Sequence, residues 1–131
     1  MPLPADLSTF NPANADQLLQ MLEGQVSQVS AQWWKANSGA VSGYLKSLAE
    51  AAIQTQIALA AGKISQEDAT DAMNMQKAAL QQTVQFTEYM TMVLAQQVFD
   101  TVFSVIGWVI YNKTGMNLFP DLVQPAAGAA H

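Results

Sequence analysis

The sequence holds 131 residues, half of them apolar and only 11% charged, with a net charge of −5, no cysteine and no arginine. One domain with a modest core fits this length. The five lysines (Lys35, Lys46, Lys63, Lys77, Lys113) are scattered, which argues against nucleic-acid binding and against an anionic membrane surface, since both need clustered cations. Without cysteine there is no disulfide, thiolate metal site or cysteine nucleophile.

Met1 to about residue 13 carries Pro2, Pro4 and Pro12 with Leu3, Leu7 and Phe10 between them, the pattern of an extended arm. It lacks a basic segment followed by an apolar run, so no signal peptide is expected and the chain is expected to be made in the cytoplasm, its final site left open.

A first helix is expected over residues 14–36, with Leu18, Leu22, Val26, Val29 and Trp33 on one stripe. Asn37 to Gly39, "NSG", supplies a stop, either a bend or a full reversal. The expected second helix, 38–61, has Val41, Leu45, Leu48, Ala52 and Leu59 on its apolar face. A row of small residues, Gly39, Gly43 and Ser47, would let another backbone approach closely.

The clearest local signal is "AAGKISQEDA". Gly62 ends one helix, Ser65 caps the next with Asp68 in capping-box position, and Glu67, Asp68 and Asp71 crowd its positive end. An antiparallel hairpin follows. Helix-start stabilisation also explains Glu67 and Asp71 without a metal.

The third helix, 65–112, meets no proline, and its one glycine is Gly107. Its length would be about 70 Å. The second helix would cover it only to about Glu88, leaving its most apolar part, Met90 to Tyr111, without a partner. There Val98, Val102, Val105 and Val109 form one row and Phe99, Phe103, Ile106 and Ile110 another, widened by Trp108 and Tyr111. That arc exceeds what one neighbouring helix covers. Gln97, Asp100, Thr101 and Ser104 form a narrow polar strip, facing water, a lumen or an interface. Trp34, next to the core residue Trp33, is expected at the edge of its stripe as an anchor on a neighbour or at a membrane interface. Residues 116–131 read as an apolar hook and a small-residue tail, with His131 kept out of the fold argument.

Catalytic chemistry finds no footing. The only histidine is His131, Asp100 is the lone carboxylate of the apolar helix, and there is no glycine-rich phosphate loop. No enzyme activity, catalytic residue, metal or cofactor is expected.

The expected fold is therefore all-α: three helices, a hairpin around Gly62, one very long C-terminal helix, and an oligomeric helical bundle. The expected function is structural, a self-assembling homo-oligomer within a phage virion, ejection or secretion-type assembly. Its expected interface is Val98, Phe99, Val102, Phe103, Val105, Ile106, Trp108, Val109, Ile110, Tyr111 and Trp34. The runner-up is a membrane-active protein inserting residues 90–111 into lipid, against which Asp100 near the middle of the window costs about 2.5 to 3.5 kcal/mol. A third reading is an adaptor holding a partner helix.

Overall fold

A computed structural model describes residues 7–124. Among these the chain is all-helical: a short 3-10 turn (Leu7–Thr9), then α1 (Ala15–Val29), α2 (Ala31–Ala60), α3 (Gln66–Val84) and α4 (Met92–Thr114). Four helices replace the expected three. The 125–131 tail and residues 1–6 of the arm lie outside the described residues.

Asn14 caps α1 by accepting a hydrogen bond from the Gln17 amide at 3.0 Å, while Gln17 Oε1 accepts from the Ala13 amide at 2.7 Å. The helix stops at Ser30, earlier than expected. Ser30 is extended (φ −154°, ψ 105°), and its hydroxyl accepts from the Trp33 amide, so one residue ends α1 and caps α2. The chain reverses there: Ser42 Oγ donates to Glu23 Oε2 at 2.6 Å, placing α1 back along α2.

Asn37 to Gly39 is thus neither a bend nor a reversal, because α2 runs straight through it. The reason is tertiary. Trp33 belongs to the stripe of α2, continuing into Val41, Leu45, Leu48, Ala52 and Leu59, all buried, and an uninterrupted helix keeps that stripe on one face.

The Gly62 turn forms as expected. Gly62 is left-handed (φ 71°), its amide bonds the Leu59 carbonyl and that of Lys63 the Ala58 carbonyl, and Ser65 Oγ accepts from the Asp68 amide at 3.0 Å.

The expected 65–112 helix is broken between Gln85 and Thr91. Thr87 Oγ turns back to donate to the Val84 carbonyl at 2.6 Å and accepts from Trp33 Nε1 at 2.7 Å. Asn37 grips the next residue twice, donating to the Glu88 carbonyl at 2.9 Å and accepting from the Glu88 amide at 3.2 Å. Tyr89 is left-handed (φ 64°), and Thr91 caps α4 by accepting from the Leu94 amide.

Magnitudes explain why the break wins. A left-handed non-glycine residue costs about 1–2 kcal/mol. Folding α4 back buries eight large side chains, Val98, Phe99, Val102, Phe103, Val105, Ile106, Val109 and Ile110, a gross gain on the order of 10 to 20 kcal/mol. α4 thereby becomes the central helix, touching α1, α2, α3 and the 3-10 turn.

Both termini complete this cover from within the same chain. Asn112 Nδ2 donates to the Leu7 carbonyl at 2.8 Å and the Phe10 carbonyl at 3.0 Å, fastening the arm to the end of α4 with Leu7 buried. After Gly115 (φ 74°) the hook buries Leu118, Phe119 and Val123, and the Phe119 ring lies 5.4 Å from that of Phe103. Asn117 holds it in shape, donating to the Val123 carbonyl.

The hook needs a glycine beneath it. A Cβ on Gly107 would stand 2.5 Å from Val123 Cγ2. Gly107→Ala is therefore expected to lower stability by about 1–2 kcal/mol despite its better helix propensity. Gly43→Ala, with nothing within 4 Å of the added carbon, is expected to raise it by about 0.5–1 kcal/mol. Denaturant melts of the two variants check the contrast.

Candidate interaction surface

The eight apolar residues expected at an interface with other copies lie inside the subunit, each at most 6% exposed. Cover for α4 comes from within the chain, through the break at 85–91, the arm and the hook. Trp108 and Tyr111 are half-buried, with rings edge to face at 5.8 Å. Trp34 is also half-buried, its ring 6.3 Å from that of the fully buried Trp33.

The polar strip does face outward. Gln97 is exposed, Asp100, Thr101 and Ser104 are half-buried, and Gln96 Nε2 donates to Asp100 Oδ1 at 2.7 Å. Gly39, Gly43 and Ser47 lie exposed on α2, and a Cβ added at either glycine would meet nothing within 4 Å. Instead a shallow depression of about 260 Å³ runs along Ala40, Gly43, Tyr44 and Ser47.

Exposed large apolar side chains lie at Tyr44 and Ile57 on α2, at Met75 midway along α3, and most densely at the junction of α3 and α4. Met75 is 73% exposed, Phe86 83%, Tyr89 59%, Met92 91% and Val93 70%. Burying a Phe, Met or Val gains about 1.5–3 kcal/mol, so five such side chains left in water are a substantial unspent driving force. Glu88 is the only charged residue between Lys77 and Asp100.

Beside this patch, Met90, Ala95 and Phe99 help line a concavity of about 390 Å³ between the end of α3 and the start of α4, with Gln81, Gln85 and Gln96 at its edge. The backbone here is held firmly: Trp33 and Asn37, on α2, fix Thr87 and Glu88. The surface is apolar, nearly uncharged and pinned to the core.

No family model, curated protein or solved structure matches this chain. What it can do must be read from the surface itself. Among the described residues no three His, Cys, Asp or Glu side chains group closely enough to hold a metal ion. The described depressions are shallow, with Gln, Met, Ala and Ser recurring in their linings, and where Glu23 lines one of them its carboxylate accepts from Ser42. Such a surface suits apolar contact between proteins.

Sequence reasoning set Met92 and Val93 inside the apolar 90–111 segment and did not single out Phe86, whose exposure is decided by the break at 85–91. The signal that was present is residue type: Phe86, Tyr89, Met92 and Val93 fall between Lys77 and Asp100, a stretch whose single charge is Glu88.

Proposed function

We propose that this chain is a non-enzymatic structural protein that self-associates through the α3–α4 junction, as a small component of a virion, ejection or secretion-type assembly. The observation that carries the reading is the run of exposed apolar side chains at the junction, Phe86, Tyr89, Met92 and Val93, with Met75 exposed farther back on α3, on a subunit with its own buried core. Low overall charge supports it, since a helical surface rich in Gln, Ala and Ser resists contact with other copies weakly.

Phe86→Ser with Val93→Ser tests it. Both side chains are more than two-thirds exposed, so the fold is unaffected, and the dissociation constant read by light scattering without detergent is expected to rise by at least about a hundredfold. An unchanged constant would place association elsewhere.

A second reading rests on α4, which is long and apolar enough to cross a bilayer, although half of its most apolar stretch is buried inside the chain. On this reading Phe86, Met92 and Val93 meet lipid first. Flotation with neutral liposomes separates the two: protein rising with the vesicles favours lipid, and protein left in the dense fraction favours association with its own kind.

A further inference from the structure

The exposed apolar residues of the junction follow a pattern that the broken helix does not use. Each residue of an α-helix advances about 100°. Carried without interruption from 75 to 93, such a helix brings Met75, Phe86 and Val93 within about 20° of one line and Tyr89 within about 40°. In the subunit these four are 73%, 83%, 70% and 59% exposed, and the non-helical segment between α3 and α4 splits them. They share one face only if the two helices are one; Gln82 falls on the same line between Met75 and Phe86, and Met92 lies about 100° away from it.

Nothing in the local sequence demands the break. Gln85 to Thr91 contains neither glycine nor proline, and Tyr89 sits at φ 64°, where a side chain is disfavoured. Three of the hydrogen bonds that hold the segment come from two side chains of another helix, Trp33 and Asn37. The break is thus imposed by α2.

Were α3 and α4 joined, α4 would leave the body made by α1, α2 and α3 and carry eight buried apolar side chains into water. The surface shaped to receive them is that same body in another copy. Exchange keeps the core contacts of α4 and changes only the hinge.

Resting on the self-association reading above, we propose that two copies exchange α4, with residues 66–114 of each forming one helix and the face of Met75, Phe86, Tyr89 and Val93 packing against the same face of the partner. The exchange gives up the bonds from Trp33 and Asn37. In return Tyr89 leaves the left-handed region, the segment gains helical hydrogen bonds, and the apolar stripe is buried.

The chain has no cysteine, so a cross-link reports the exchange directly. Gln66, opening α3, donates to the Asn117 carbonyl in the hook at 3.4 Å, and the hook travels with α4. Gln66→Cys with Asn117→Cys, treated with a short bis-maleimide, is expected to give a two-chain band on a denaturing gel from the dimer fraction of a size-exclusion run. A dimer fraction giving only one-chain bands would overturn the exchange while leaving self-association intact. The absence of any dimer fraction would overturn both.

A second variant reads the hinge. Tyr89→Gly relieves the left-handed residue in the subunit and weakens the joined helix, so the dimer dissociation constant is expected to rise about a hundredfold, tenfold for each of two hinges, with helical circular dichroism retained. A constant unchanged or lowered would overturn the proposal.

Discussion

Ile106→Asp is expected to abolish the folded subunit, not merely disperse its copies. Ile106 is fully buried in α4, among neighbours contributed by the same chain. The substitution removes a core side chain, at about 2–5 kcal/mol, and places a carboxylate in the buried interior, at several kcal/mol more. That sum is comparable with the whole stability of a domain, about 5–15 kcal/mol. The cooperative thermal transition should vanish. Gln97→Asp, on the exposed strip of the same helix, should leave the melt within about 0.5 kcal/mol of wild type. An Ile106→Asp chain that melted normally but lost its oligomer would put Ile106 at an interface after all.

Trp33→Ala should be nearly as damaging, at about 3–5 kcal/mol, lowering Tm by at least about 10 °C. Trp33 is fully buried and does two things at once: it fills the corner where α1 turns into α2, and its Nε1 donates to Thr87 Oγ in the break between α3 and α4. Trp33→Phe keeps most of the volume and loses the donor, so it is expected to cost about 1–3 kcal/mol. The neighbouring Trp34 is half-buried, and Trp34→Ala is expected to cost distinctly less. Thermal melts followed by far-ultraviolet circular dichroism rank the three variants. Equal effects at 33 and 34 would contradict the assigned corner.

The features legible in the sequence are those written locally. The Gly62 turn rests on a glycine and a serine cap close in sequence: Gly62 takes the left-handed conformation and Ser65 accepts from the Asp68 amide. The two apolar rows of α4 are likewise visible in their spacing, and so is the outward polar strip around Asp100. Illegible were the features that depend on distant partners. Ser30 is an ordinary serine in an ordinary helix until the Trp33 stripe requires a corner there, whereas "NSG", the stronger local stop, is overridden by continuous burial from Trp33 to Leu59. The break at 85–91 depends on Trp33 and Asn37, more than fifty positions away in the chain. The exposure of the junction was hidden for the same reason: whether Phe86 and Val93 are covered or exposed turns on that break.

The two halves of the account, a central α4 complete within one copy and an association surface at the α3–α4 junction, meet in one measurement. Amide hydrogen exchange is followed at concentrations below and above association. Residues 98–110 should be strongly protected even in the most dilute sample, and protection of residues 85–93 should rise with concentration as the junction is covered. Free exchange of 98–110 in dilute solution, with protection gained only on association, would contradict the account and return α4 to the interface.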